Sequence, residues 1–97
     1  MSFANQTPRQ LTKQNVEAVK PNQLGVYGIY KTNQWVYVGM GDVRQRLLDH
    51  LNGDNACLLR QSPTHWVDEV IPDEARRIRR EKELILELNP SCNQRVG

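Results

Sequence analysis

The run GVYGIYKTNQWVYVG at residues 25–39 constrains this chain more than any other stretch. Two aromatic and β-branched runs, Val26, Tyr27, Ile29 and Tyr30 and then Trp35, Val36, Tyr37 and Val38, flank the polar Lys31-Thr32-Asn33-Gln34, which is the pattern of a β-hairpin. Directly opposed residues share a sheet face, so the turn decides which side chains meet. A three-residue turn at Thr32-Asn33-Gln34 puts Tyr27, Ile29, Tyr37 and Gly39 on one face, whereas a two-residue Asn33-Gln34 turn pairs Tyr30 with Tyr37. The chain leaves the hairpin through Gly39-Met40-Gly41-Asp42 and enters a helical pattern carrying Arg46 and, four residues on, His50.

At 97 residues the chain makes one domain with one small core. A content of 38% hydrophobic and 25% charged residues is that of a soluble globular protein. No apolar run approaches a membrane span or a signal-peptide core, so a cytoplasmic protein with no membrane partner is expected. The net charge of +2 says little about nucleic acid; the placement of the charges matters more. Cys57 and Cys92 lack a close CxxC partner, which argues against zinc. They read as two reduced thiols in a reducing compartment.

Residues 1–9 are polar and contain Pro8, the mark of a loosely attached end. A short helix over 12–20, with Thr12 as N-cap and Pro21 as stop, is expected to cover one edge of the sheet. The hairpin strands follow at 25–31 and 35–40. Asp42 caps a helix to about residue 51 whose apolar side is Val43, Leu47, Leu48 and Leu51. Asn52-Gly53-Asp54-Asn55 ends it, and a loop or brief helix lies near 56–60. Residues 64–71 form a third strand, and Pro72-Asp73 opens a long helix to residue 88, stopped by Asn89-Pro90. The fold class is α+β: a three-stranded antiparallel sheet flanked by helices in the order α-β-β-α-β-α.

On the last helix, Ile78, Leu84, Ile85 and Leu88 fall on one stripe, and Glu81 falls inside it while Glu83 and Glu87 point away. A carboxylate on a core-facing stripe needs a cation, donors or a metal, and a salt bridge to Arg46 or Arg77 would serve as well as a functional ligand. Arg46 and His50 share a helix face. Guanidinium suits a phosphate and imidazole suits proton transfer near neutrality, although such a pair also decorates ordinary surfaces. The run Arg76-Arg77-Arg79-Arg80 fits either a phosphate backbone or a solvated face with internal Glu pairs.

Taken in order, these residues resemble the GIY-YIG nuclease domain of homing endonucleases, excision-repair nuclease subunits, structure-specific resolvases and some restriction enzymes. The resemblance runs over about 25–93: the Gly25-Val26-Tyr27 motif, Tyr37-Val38-Gly39, an Arg followed four residues later by His, a helical Glu, and an Asn after a Pro. It divides the chain into a tail and short helix at 1–22 and a nuclease-like domain at 23–97. Gly28-Ile29-Tyr30 spells the family name, but Tyr27, ten positions before Tyr37, matches the family spacing better. Two departures stand out: Arg46 follows Gly39 by seven residues, one fewer than in many relatives, and Met40-Gly41 replaces a usual polar or basic pair. Arg44 is a nearby alternative to Arg46 that lacks a His four residues on.

The resemblance implies metal-dependent hydrolysis of DNA phosphodiesters, on duplex or branched substrates, in DNA repair or recombination. It assigns Glu81 as ligand of one divalent ion, Mg²⁺ or Mn²⁺, and Arg46 to the phosphate. Tyr27 becomes the base or its relay, Tyr37 and His50 position water and proton, and Asn93 braces the metal-side oxygens. Arg44, Arg76 and Arg80 become candidate nucleic-acid contacts, with Gly25 and Gly39 as motif glycines. Tyrosine is a poor base at neutral pH, so Arg46 or the metal must favour phenolate, or His50 takes that role. A homodimer or partner protein supplying specificity is compatible with so small a domain. The competing reading is a catalytically silent module of the same scaffold that binds a nucleic-acid structure or a protein; a metal-free structural protein would make the motif matches coincidence.

Overall fold

A computed structural model describes residues 3–93. Its elements are β1 (Arg9–Gln10), α1 (Lys13–Glu17), β2 (Leu24–Lys31), β3 (Gln34–Asp42), α2 (Val43–Leu51), α3 (Ala56–Gln61), β4 (His65–Val70) and α4 (Glu74–Leu88). The class is α+β, an open antiparallel sheet flanked by helices, but the sheet has four strands in the order β1-β4-β2-β3. The extra strand is two residues long, Arg9 opposite Trp66 and Gln10 opposite His65. A pair that short carries no alternation for a sequence to display. Thr12, Asp42 and Asp73 cap their helices by accepting from the backbone N–H of Asn15, Gln45 and Arg76.

The N-terminal end is docked rather than loose. Phe3 is buried and stacks on Trp35 at 5.5 Å between ring centroids. Gln6 donates to the Asp68 carbonyl at 2.7 Å and accepts from the Asp68 N–H at 3.1 Å, in the manner of a strand neighbour. The edge beside β4 is covered by β1, while α1 packs on α2, burying Val16 and Val19.

The hairpin register has an unforeseen origin. Lys31 pairs with Gln34 across a two-residue Thr32-Asn33 turn, with Asn33 at φ 57°. Continued regularly, that turn would place Ile29 opposite Val36. A bulge intervenes: Tyr30 pairs with Trp35 but Ile29 pairs with Tyr37, leaving Val36 as the extra residue. Tyr27 therefore lies opposite Gly39, and Tyr27, Ile29, Tyr37 and Gly39 share one face, the arrangement expected of a three-residue turn. Tyr30 goes to the other side, against Trp35 and His65.

Each sheet face carries its own core. Tyr27, Ile29, Val36 and Trp66 pack with Val43 and Leu47 of α2 and with Leu58 of α3 on one. Val26, Val38, Val67 and Phe3 pack with Leu84 of α4 on the other. The buried stripe of α4 differs from expectation at Ile78, which is 38% exposed, while Arg77 is 8% exposed. Arg77 tolerates burial because its Nη1 donates to the carbonyls of Ile71 and Pro72, tying the helix start to the end of β4. Glu81 remains on this stripe, half-buried, one turn before Leu84 and Ile85.

Beyond α4 the chain returns along the outer edge of β3. Ser91 and Cys92 donate backbone N–H bonds to the carbonyls of Trp35 and Val36, and the Asn93 side chain bonds both backbone groups of Val38. Cys92 is joined to Cys57 of α3 in a disulfide with Cα atoms 5.7 Å apart, which overturns the expectation of two reduced thiols and removes that argument for a reducing compartment. Two cysteines separated by 35 residues carry no mark of their pairing in sequence, because the approach is made by the fold.

Two outcomes follow from this packing. A loop of that length loses closure entropy worth about 4 kcal/mol at most, so Cys57→Ser should lower the unfolding free energy by about 2–4 kcal/mol in urea titration, and reduction of the unmodified chain should do the same. At Gly39 a Cβ would lie 2.5 Å from the Tyr27 hydroxyl and 2.9 Å from Tyr37 Cε2. Gly39→Ala should therefore cost about 1–3 kcal/mol of stability by displacing buried rings, measured by thermal unfolding.

Candidate active site

Tyr27 organises the site. Its side chain is fully buried, so its hydroxyl requires a partner inside the protein. His50 supplies one: Nε2 lies 2.8 Å from the Tyr27 oxygen. The ring stays in place because His50 ends α2 on the side facing the sheet, three residues after buried Leu47. Tyr37, opposite Ile29 on the same face, closes the arrangement, its ring edge-on to His50 at 5.1 Å and tilted to Tyr27 at 6.3 Å. Gly39 forms the floor, for only a residue without Cβ lets the two tyrosine rings approach the backbone so closely.

Arg46 stands one turn earlier on α2, and its charge acts on the same hydroxyl. Its aliphatic stem passes Gly41, where φ is 129° and a Cβ would stand 3.5 Å from Cγ. The shortened connection between hairpin and helix thus uses the backbone freedom of Gly41. The Arg46 side chain is 40% exposed, with only a loose approach of 3.8 Å to Asp49, so its guanidinium remains accessible from solvent.

A further residue belongs here that the sequence reading did not select. Asp54 Oδ1 lies 2.8 Å from His50 Nδ1. Asp54 stands in the loop after α2, and Gly53 at φ 88° turns the chain so that its side chain comes back under the imidazole. The available signal was an acid four residues after a histidine, next to a glycine, which is common in helix-ending loops.

Electrostatics keep the cluster poised rather than ionised. Burial pushes the Tyr27 phenol well above the ordinary tyrosine range, with help from neighbouring Tyr37, while Arg46 pulls the other way. Burial likewise lowers His50 below its usual 6.5, and the hydrogen bond that its Nδ1 donates to Asp54 opposes that shift. His50 also lines a hollow of about 230 Å³ together with Leu11, Ile29, Leu51 and Leu58. At neutral pH the pair is therefore phenol and neutral imidazole.

The other expected site residues lie outside this hydrogen-bonded cluster. Glu81 is half-buried on α4, one turn before the buried Leu84, and it is not without a partner. Asn93 engages the Val38 backbone through both amide atoms and so ties residues 91–93 to β3. Gly25 is buried against β4, where a Cβ would strike the Glu69 carbonyl. Arg44 makes a 3.5 Å contact to the Glu17 carbonyl on α1. Arg80 is committed to Glu69 by two bonds of 2.9 Å, with Glu83 beside it, and it holds the Glu69 carboxyl below its usual range. That pairing occupies much of the Arg80 guanidinium, whose side chain is 21% exposed. Arg76 and Arg79 stay exposed on the rim of a hollow of about 1070 Å³ beside α4, whose lining includes neither Tyr27 nor Tyr37. Among the described residues no three His, Cys, Asp or Glu side chains converge as a metal cage, and no helix is long and apolar enough to cross a membrane.

No protein-family model and no curated protein sequence matches the chain. Its fold, however, superposes on solved structures of the GIY-YIG N-terminal endonuclease domain of UvrC from Thermotoga maritima bound to its catalytic divalent cation. Two point-mutant forms align with TM-score 0.73 at 21% and 22% identity, over 86% of this chain and 96% of that one. The magnesium-bound form aligns with TM-score 0.72 at 21% identity, over 84% and 96%. This agreement covers most of both chains: the chain has the fold of a GIY-YIG domain.

Proposed function

We propose that this chain is a metal-dependent DNA endonuclease of the GIY-YIG type. The observation that carries the reading is the constellation on one sheet face: a buried phenol hydrogen-bonded to a neutral imidazole, beside a solvent-accessible guanidinium. Similarity of fold to endonuclease domains bound to a catalytic cation, magnesium in one case, supports it.

Hydrolysis of a phosphodiester needs positive charge at the phosphate oxygens, an acceptor for the proton of the attacking water, and help for the leaving oxygen. Arg46 is suited to the first, since its planar donors face solvent and can take two phosphate oxygens at once. Tyr27 and His50 are suited to the second. A protonated phenol accepts a proton from water only as it releases its own, and the neutral Nε2 of His50, 2.8 Å away, is the acceptor at hand. Tyr37 packs against both rings and limits their rotation.

Glu81 would hold the divalent ion. A single half-buried carboxylate offers a hard oxygen donor of the kind Mg²⁺ accepts while keeping most of its waters, and the lack of a multi-residue cage among the described residues suits that ion better than zinc. When bound, Mg²⁺, or Mn²⁺ in its place, would supply charge stabilisation at the phosphate and the leaving oxygen. Arg44 and Arg76 are available to flanking phosphates. One site per chain cuts one strand, so double-strand cleavage asks for a homodimer, a partner protein or two events. DNA repair or recombination in the cytoplasm is the setting that this activity fits.

Incubation with supercoiled plasmid and with branched DNA, in Mg²⁺ and in chelator, tests the proposal. Cleavage should require the metal and should fall at least about a hundredfold in Arg46→Ala and Glu81→Ala variants that remain folded. Equal cleavage by all three proteins would sink it, and binding without cleavage in Mg²⁺ or Mn²⁺ would favour a silent module. The pH profile supplies a second check. Since His50 acts as neutral acceptor and burial lowers its pKa, the rate should hold as pH falls to 6.5 and be lost only below, as imidazolium forms. An acid limb centred above 6.5 would contradict this role.

A further inference from the structure

We infer that Asp54 is a positioning residue that holds His50 as the Nδ1–H tautomer, so that Nε2 is the acceptor for the Tyr27 phenol proton. The tautomer follows from the hydrogen-bond geometry; its use in cleavage rests on the function proposed above. Both ring nitrogens are engaged at 2.8 Å, Nδ1 with Asp54 Oδ1 and Nε2 with the Tyr27 hydroxyl. An ionised carboxylate only accepts hydrogen bonds. Nδ1 must then carry the proton, which leaves Nε2 bare and obliges Tyr27 to donate to it. The reverse tautomer would set a lone pair of Nδ1 against the Asp54 carboxylate and leave the Tyr27 proton without that acceptor.

The surroundings leave this task to Asp54. Tyr27 from β2 and Tyr37 from β3 face the imidazole, Arg46 and Asp49 lie on its own helix, and α3 presents Leu58 and Leu59. Of the two carboxylates, only Asp54 bonds a ring nitrogen; Asp49 is engaged by Gln45. Exposure is graded as well: the His50 side chain is 3% exposed and that of Asp54 37%, so the anion keeps contact with water while orienting a ring that has almost none. In the proton transfer one O–H bond of water breaks as its oxygen attacks phosphorus, and the P–O bond to the leaving strand breaks with its electron pair going to the leaving oxygen, which takes a proton from solvent water. The water proton passes to the Tyr27 oxygen, the Tyr27 proton passes to Nε2, and the resulting imidazolium lies against the Asp54 carboxylate. Asp54 itself stays ionised, as an orienting carboxylate beside a base does.

Nitrogen-detected NMR of the histidine rings at pH 8 tests the assignment on the full chain without any substrate. The unmodified protein should show His50 as Nδ1–H. In Asp54→Ala that preference should collapse toward a mixture and His50 should titrate at lower pH, because the anion that favours imidazolium is gone. Asp54→Glu should restore part of both. In plasmid cleavage with Mg²⁺, Asp54→Ala should lower kcat tenfold or more with KM changed less than threefold. An Nε2–H ring in the unmodified protein, or an unchanged tautomer in a folded Asp54→Ala, overturns the inference. If Asp54→Ala fails to fold, the unmodified tautomer decides alone. If the unmodified protein cuts no DNA, the proposed function fails and the ring nitrogens still judge Asp54.

Discussion

A single buried hydroxyl sets the terms for this molecule. Tyr27 cannot leave its phenol group unpaired at the centre of the sheet, so a hydrogen-bonding partner must be delivered to it inside a core otherwise made of valine, leucine and tryptophan. That partner is delivered by α2, which is fixed by Asp42 at its start and by Val43 and Leu47 along its buried side. The partner in turn is oriented by a loop that glycine folds back. Satisfying the polar interior and assembling the reactive centre are here the same arrangement.

The division of the sheet into two faces explains how so small a chain carries both stability and chemistry. The face under α4 holds an aliphatic and aromatic core together with Arg77 and Arg80, whose charges are met locally by carbonyls and carboxylates. The opposite face concentrates Tyr27, Tyr37, His50 and Arg46. Central β2 serves both, its odd residues from Tyr27 to Ile29 facing one way and Val26 the other.

Most elements were legible because their signals are local. Caps at Thr12, Asp42 and Asp73 and the stops after α2 and α4 mark helix ends directly, and alternation marks the long strands. The sheet face shared by Tyr27 and Tyr37 was legible too, though for an incomplete reason. Register depends on the sum of turn and bulge, and a two-residue turn with an extra Val36 gives the same pairing as a longer turn without one. What escaped was whatever depends on contacts between segments distant in sequence. Strand β1, the docking of Phe3, the Cys57–Cys92 bond and the Asn93 clasp on Val38 arise only once the sheet exists. Asp54 escaped because a helix-ending loop rich in Asn, Gly and Asp conceals the acid that bonds His50 among residues suited to turning. Ile78 and Arg77 exchanged places because a stripe inferred from apolar letters cannot register an arginine that finds carbonyls at the helix start.

The segment 91–93 has a consequence for assembly. Its backbone and the Asn93 amide occupy hydrogen-bonding positions along the outer side of β3, while the opposite boundary of the sheet is a strand of two residues. Neither side offers a long ladder of free amides onto which a neighbour could add a strand. Continuous sheets across molecules, and the aggregation they seed, are thereby disfavoured. Two copies working on paired strands of a duplex would have to meet through helices and loops, leaving each copy's register untouched by its neighbour.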